Sequence, residues 1–324
     1  MQEAIMHLYK AGTDLGNNKH LWGIVLAGGN GKRLENYICS RFGTSVPKQY
    51  CAFHGTRSML SHTLSRVELL VPRDHIFVTI QYEHLNYAAE SLKDIPPQNI
   101  AVQPMNRETG VGIIHALLHI FHKDPRAMVA IFPSDHFILE EKRFMEYVAD
   151  GVAFIKKNKN KFLVLGIEPD QLESDYGWIE PGVRHSTVRG TSINQVTNFY
   201  EKPSTPKVMK MYENKYWLWN TMVMVSSVDA MIGRFCRLMP DIVVPILTLQ
   251  EHFYSPKEYE KTKAVYDKLP SVNFSFSILE KAVEDLAVLR VKNVYWSDWG
   301  NPQRIEKDIA FLEECVNEEY FFAW

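Results

Sequence analysis

Several short clusters in this chain carry side chains capable of chemistry. In Leu26-Ala27-Gly28-Gly29-Asn30-Gly31-Lys32-Arg33-Leu34, glycines follow directly on an apolar run. Glycine lets backbone amides turn toward a ligand with no Cβ in the way. Lys32 and Arg33 add the positive charge that a nucleotide phosphate requires. The plainer alternative is a tight strand-to-helix turn. A dinucleotide fingerprint fits worse, because Leu34 stands where its third small residue belongs, and a phosphate-loop NTPase lacks its G-K-[ST] here. In Pro47-Lys48-Gln49 the proline fixes the chain just before an ammonium, although a lone lysine is usually a solvated group. Phe132-Pro-Ser134-Asp135-His136 and Trp296-Ser-Asp298-Trp-Gly300 each set an aspartate after an apolar stretch. Two such carboxylates converging from distant positions would hold a hard divalent cation and leave room for phosphate oxygens. Otherwise Ser134 or Asp135 caps a helix and Asp298 serves a turn.

Two further clusters suit a phosphorylated sugar. In Tyr200-Glu201-Lys202-Pro203, Lys202 would neutralise a second phosphate, with Glu201 orienting it or meeting sugar hydroxyls. An exposed ion pair of little worth is the competing explanation. Tyr176-Gly177-Trp-Ile-Glu180-Pro and Trp217-Leu-Trp-Asn220 mix flat aromatic faces with a carboxylate and an amide, although core aromatics are the commoner use of such residues.

These clusters need elements to position them. The continuous apolar run at 21–27 predicts a strand buried on both faces. Further strands are expected at 75–80, 99–102, 127–132 and 162–167, with helices at 58–71, 82–92, 108–122 and 143–159. That alternation predicts a Rossmann-like, doubly wound, mixed but mostly parallel α/β sheet. Right-handed crossovers put the loops after the strands on one edge, where ligands bind. Beyond 168, strands at 176–181, 190–200, 217–225 and 288–296 and helices at 229–253 (interrupted at Pro240 and Pro245), 257–269, 277–285 and 302–317 predict an antiparallel and helical extension of the same sheet. The expected organisation is an N-terminal extension (1–20), a catalytic domain (21–310) with a nucleotide-binding half to about 167 and a sugar-phosphate half from 168, and a tail (311–324). The helices after Asp229 carry Ile242, Val243, Ile246 and Leu249, which suit either a core or a homo-dimer interface.

Composition narrows the partners. Of 324 residues, 46% are hydrophobic and 23% charged, which excludes general disorder. Thirty-six basic against 38 acidic residues leave a formal charge of −2, so neither nucleic acid nor an anionic membrane is an expected partner. No apolar run approaches the ~20 residues of a membrane span, and the N-terminus lacks a signal-peptide pattern. Cys39, Cys51, Cys236 and Cys315 are scattered without a C-x-x-C pair, which argues against a zinc knuckle or disulfide framework and for a reducing, cytoplasmic setting.

Taken together and in this order, L-A-G-G-x-G-x-R-L, P-K-Q, Q-P-x-N-R-x-T, P-S-D-H, Y-G-x-I-E-P-G, E-K-P, L-W-N and W-S-D-x-G resemble the sugar-1-phosphate nucleotidyltransferases from Leu26 to Gly300. P-S-D-H with L-W-N is most similar to the mannose-1-phosphate guanylyltransferase branch. The resemblance implies that Mg²⁺-dependent transfer joins GTP, or another nucleoside triphosphate, to a hexose-1-phosphate. It implies that Leu26, Ala27, Gly28, Gly29 and Gly31 cradle the nucleotide, with Ser134 beside them, that Arg33 contacts the β- and γ-phosphates, and that Lys48 holds phosphate at the reacting centre. Gln103, Asn106 and Arg107 would approach the base. Asp135 and Asp298 would bind Mg²⁺. Tyr176, Gly177, Glu180, Glu201 and Asn220 would meet the sugar, and Lys202 its phosphate. The chain departs from the family pattern at Lys32, over 35–46, at Glu108-Thr109-Gly110-Val111, at Thr221-Met222 and at Asn273-Phe274-Ser275-Phe276-Ser277, where an acid is missing. Within these 324 residues, neither the cupin-type isomerase nor the left-handed β-helix domain that some relatives append is expected. Competing expectations are the same chemistry on another base or another sugar-1-phosphate, such as a heptose or glucose one, and a non-catalytic nucleotide-sugar-binding regulator.

Overall fold

A computed structural model of the chain describes residues 19–317; nearly all of the expected extension and half of the expected tail lie outside them. The strands are β1 (Leu21–Ala27), β2 (Ile76–Gln81), β3 (Ile100–Gln103), β4 (Met128–Pro133), β5 (Phe137–Ile138), β6 (Phe162–Ile167), β7 (Gly177–Val188), β8 (Thr191–Glu201), β9 (Leu218–Ser227), β10 (Leu286–Val291) and β11 (Trp296–Ser297). The helices are α1 (Glu35–Phe42), α2 (Met59–Glu68), α3 (Leu85–Leu92), α4 (Glu108–Lys123), α5 (Glu141–Lys157), α6 (Thr205–Glu213), α7 (Val228–Leu238), α8 (Pro240–Leu247), α9 (Glu258–Tyr266) and α10 (Pro302–Asn317).

Nine strands form one sheet in the order β3-β2-β1-β4-β9-β6-β10-β8-β7, with β7 also reaching β9. β1 pairs in parallel with β2 on one side and β4 on the other, which is why its apolar run continues without alternation. Only β8 and β9 run against the rest, so the sheet is mixed with one dominant direction, as the alternation predicts. The chain leaves β1 toward β2 and β3, then returns to the far side of β1 as β4. The carboxyl ends of β1 and β4 therefore flank the point where strand order reverses, the usual place for a ligand crevice in such sheets.

Each sheet face buries its own core. One packs α2 and α5 through Leu60, Leu64, Phe144 and Val148. The other packs α4, α7 and α8 through Ile114, Leu117, Phe235 and Ile246. Ile242, Val243, Ile246 and Leu249 belong to this second core at 0–1% exposure, so they are not an interface. A third, smaller cluster joins Leu34 and Ile38 to Trp299 and Ile305, and so seats α1 and α10 against the two-stranded β5–β11 sheet. No helix among the described residues is long and apolar enough to cross a membrane.

The expected elements change in several places; α1 and β5 were not anticipated, and Pro245 lies inside α8 rather than interrupting it. β7 runs on to Val188 as the first arm of a long hairpin with β8. α6 follows β8 where no helix was anticipated. The expected strand at 288–296 is two strands, because Asn293 turns at a left-handed φ of 54° between them. The expected helix at 277–285 is a π-turn at Ser275–Leu279 followed by a short 3₁₀ turn.

Candidate active site

The loop after β1 is shaped from outside by side chains. Gly31 takes a left-handed φ of 61°, which glycine adopts without steric penalty, and opens the turn into Lys32–Leu34. The Gln49 amide donates to the carbonyls of Ala27 (3.0 Å) and Gly29 (2.8 Å), and the Tyr50 hydroxyl also donates to Ala27 (3.0 Å). The Gln81 amide donates to the Gly28 carbonyl and to Asn30, and Asn106 reaches Gly28 at 3.4 Å. A cavity of about 360 Å³ opens beside this loop, bounded by Leu26, Gln103, Asn106, Ser134, Asp135 and Met222. Ala27 is fully buried and contributes its carbonyl. The Ser134 amide donates to the Leu26 carbonyl at 3.2 Å, which ties the ends of β1 and β4 together. A larger hollow of about 640 Å³ lies along 291–296 and touches none of the predicted site residues, so the smaller cavity is the candidate.

Lys48 joins the two distant aspartates. Its side chain is 6% exposed, and its ammonium donates to Asp135 Oδ2 at 3.0 Å and to the Asp298 backbone carbonyl. Burial would raise the Asp135 carboxyl, but the Lys48 ammonium and His136 outweigh it and hold it below the usual carboxylate range. Burial and the same ammonium push His136 down to about 4, against the opposite pull of Asp135. The Asp298 carboxylate turns the other way. Its Oδ1 accepts from the Tyr176 hydroxyl and from the Gly300 amide (2.8 Å), with Arg304 4.0 Å off. Asp135 and Asp298 thus share one lysine, the first through its carboxylate and the second through its backbone carbonyl.

The second half of the site follows from strand register. Gly177 lies opposite Glu201, and a Cβ on Gly177 would come within 3.0 Å of Glu201 Oε2 and 3.1 Å of Asn220 Cβ. Burial raises the Glu201 carboxyl; Lys202 and the side chains of Ser275 and Asn273 oppose that rise. Lys202 turns at a φ of 47°, and its amide donates to the Tyr176 carbonyl at 3.1 Å. Asn220 is 4% exposed and accepts from the Met222 amide at 3.0 Å. Met222 itself takes a φ of 57° in a bulge between β6 and β9, and borders the cavity. Gly177, Glu201, Lys202 and Asn220 therefore cluster together, and Met222 links Asn220 to the cavity.

Three predicted residues are turned to other partners. Strand parity sets Glu180 with Trp178 on the opposite face from Gly177, and its carboxylate accepts from Asn198 at 2.5 Å. Arg107 turns to the carbonyls of Tyr266 (2.9 Å) and Asp267 (3.2 Å) at the end of α9. Arg33 pairs with Asp175 at 2.6 Å, both more than half exposed, and so spans from the glycine loop to the start of β7. Sequence reasoning missed the Gln49 and Gln81 braces and the Tyr176–Asp298–Arg304 contact. Gln49 was within reach, since it closes the P-K-Q cluster; nothing in the sequence marks Arg304.

A glycine loop and two aspartates at the switch point of a doubly wound sheet are the features of a nucleotide-handling transferase. The chain belongs to the nucleotidyl transferase family, whose description matches residues 22–314. Among curated proteins it is 26% identical over 282 residues to mannose-1-phosphate guanylyltransferase of Escherichia coli, covering 86% of this chain and 59% of that one. It is 27% identical to the protein of the same name from Salmonella montevideo, at 86% and 58% coverage. The chain thus spans somewhat under two thirds of the length of these relatives. Among solved structures, one described as a mannose-1-phosphate geranyltransferase from Thermus thermophilus superposes with a TM-score of 0.75 at 23% identity, covering 89% of this chain and 78% of that one. One described as mannose-6-phosphate isomerase from Helicobacter pylori gives 0.67 at 18% identity, covering 86% and 99%. These likenesses establish the fold.

Proposed function

We propose that this chain transfers a nucleotidyl group from a nucleoside triphosphate to a hexose-1-phosphate and releases pyrophosphate, with GTP and mannose-1-phosphate as the pair its motifs and curated relatives favour. The observation that carries this is the buried Lys48 ammonium, which bridges Asp135 and Asp298 beside a glycine-lined cavity.

In this reaction a sugar-1-phosphate oxygen attacks the α-phosphorus in line, the bond to the bridging oxygen breaks, and pyrophosphate leaves with that electron pair. The nucleophile is already an anion, so no general base is required. The obstacle is bringing two anions together, and fixed cations offset it. Lys48 is held by two acceptors and stands ready without reorganisation. Lys202 would add its charge from the end of β8, and Arg33 would reach the triphosphate once it lets go of Asp175. The donor chemistry fits Mg²⁺: Asp135 and Asp298 offer carboxylate oxygens, which a hard divalent ion prefers. These two residues would hold the ion, which when bound supplies charge neutralisation for the triphosphate.

A second reading keeps the chemistry and changes the sugar. Ser275 and Met222, both at departures from the family pattern, touch at 3.1 Å, and Ser275 also bonds Glu201. Departures at these positions would alter specificity on the sugar side. A panel of nucleoside triphosphates against hexose- and heptose-1-phosphates, scored by pyrophosphate release, separates the two. Highest turnover with GTP and mannose-1-phosphate is expected. Turnover with another pair moves only the specificity, and tight nucleotide-sugar binding with no turnover anywhere makes the protein a sensor.

A further inference from the structure

Outside the candidate active site, α4 and α9 bring three metal-ligating side chains to one point. His115 and His119 stand one turn apart on the same face of α4, at 1% and 2% exposure. Glu258 opens α9. His119 Nε2 lies 3.3 Å from His115 Nε2 and 3.2 Å from Glu258 Oε1, and the three ligand atoms all fall within 4.8 Å of one another. Two ligand atoms about 2.0–2.1 Å from a zinc ion at a tetrahedral angle stand roughly 3.4 Å apart.

The outer hydrogen bonds decide which ring nitrogens carry protons. The Tyr266 hydroxyl donates to Gln103 Oε1 (3.4 Å), so it accepts from His115 Nδ1 (3.0 Å). The Tyr254 hydroxyl donates to the His119 carbonyl (3.4 Å), so it accepts from His119 Nδ1 (3.4 Å). Both Nε2 atoms then carry lone pairs, and these face each other and a carboxylate oxygen. Three acceptors aimed at one spot repel unless a cation lies between them. Outer partners that fix the tautomer in this way are the usual surroundings of metal-bound histidine. The neighbouring cation, Lys123, is turned to Gln98 O (2.8 Å) and Asn99 Oδ1 (2.5 Å) instead. Phe253 stacks on His119 with centroids 3.7 Å apart and walls off one side, while the Glu258 side chain, 25% exposed, leaves an entry path.

We propose that His115, His119 and Glu258 bind one divalent transition-metal ion of the zinc class, with the fourth position left to water. Mixed nitrogen and carboxylate donors select such an ion over Mg²⁺. The ion ties α4 to α9, and through Tyr266 it steadies Gln103, which borders the nucleotide cavity.

The test uses the full chain, stripped with chelator and titrated with Co²⁺ and then Zn²⁺ in the presence of excess Mg²⁺, which occupies any all-oxygen site. The expected result is one equivalent of Co²⁺ with intense visible bands of a four-coordinate ion, displaced by Zn²⁺, and a rise in Tm on Zn²⁺ addition. Glu258→Gln is expected to weaken uptake about tenfold or more. His119→Gln should abolish the bands, and far-UV circular dichroism of both metal-free variants separates lost ligation from lost folding. No stoichiometric uptake by the wild-type chain overturns the site. So do unchanged bands and affinity in a folded Glu258→Gln variant.

Discussion

Lys48 is a buried charge whose partners are an aspartate side chain and an aspartate carbonyl. A buried ammonium is tolerated only when it is paired and hydrogen-bonded. Lys48→Met therefore removes a fixed cation from the reacting centre and leaves Asp135 facing its former partner's place. Turnover measured as pyrophosphate release should fall on the order of 10²–10³, with the circular dichroism spectrum retained. Asp135→Asn tests the other member of the pair; wild-type turnover there would refute the site. A second residue-scale effect concerns acid stability. Burial, then the nearby Arg57 and Arg66, push His62 down to about 3. An unfolded histidine takes up its proton near pH 6.5, so between that pH and about 3 the unfolded chain binds more protons than the folded one. Stability then falls as pH drops through this window, by about 1.4 kcal/mol for each tenfold difference in proton affinity. Tm measured from pH 7 to pH 4.5 should decline, and His62→Gln should flatten that decline.

At the scale of elements, the start of α4 is set by one close approach. The Gly110 amide donates to the Val272 carbonyl at 2.7 Å, and a Cβ on Gly110 would sit 2.6 Å from Val272 Cγ1 and 2.7 Å from that carbonyl. Glu108, Thr109 and Gly112 on this same turn border the cavity. Gly110→Ala should therefore lower stability by about 1–3 kcal/mol in urea titration and raise KM for the triphosphate more than it lowers kcat. The elements most legible in the sequence were those with one unambiguous pattern. β1 and β6 are unbroken apolar runs, and both have the expected bounds. α6 was hidden because its exposed residues outnumber its buried Val208 and Met211, so its periodicity is weak. The site was legible as motifs, since Asp135, Lys202 and Asp298 each sit just past a strand. The face of Glu180 was not, because strand parity inverts with a single residue and β7 carries several register shifts. His115 and His119 lie inside the helix expected at 108–122, where nothing in the sequence marks them as a pair of ligands; only the fold supplies Glu258 opposite them. Met222 shows a family departure turned into backbone: a non-glycine residue at φ 57° holds a bulge beside the cavity.

For the whole molecule, the two expected halves are not separable bodies. β9 comes from the second half yet lies between β4 and β6, and β10 extends the sheet from β6. Each core then draws residues from both halves, as Ile131 and Met224 do on one face and Phe132 and Trp219 on the other. Unfolding in denaturant should follow one cooperative transition, with tryptophan fluorescence and circular dichroism giving coincident midpoints. Two separated midpoints would show that the halves melt independently.

The Arg33–Asp175 pair joins the loop after β1 to the approach of β7, with both side chains more than half in water. Pairs so exposed contribute about 0–1 kcal/mol. In the proposed reaction Asp175 would therefore be a resident placeholder for the incoming triphosphate. It holds the guanidinium outstretched, yet would yield it to a more highly charged guest at almost no energetic sacrifice.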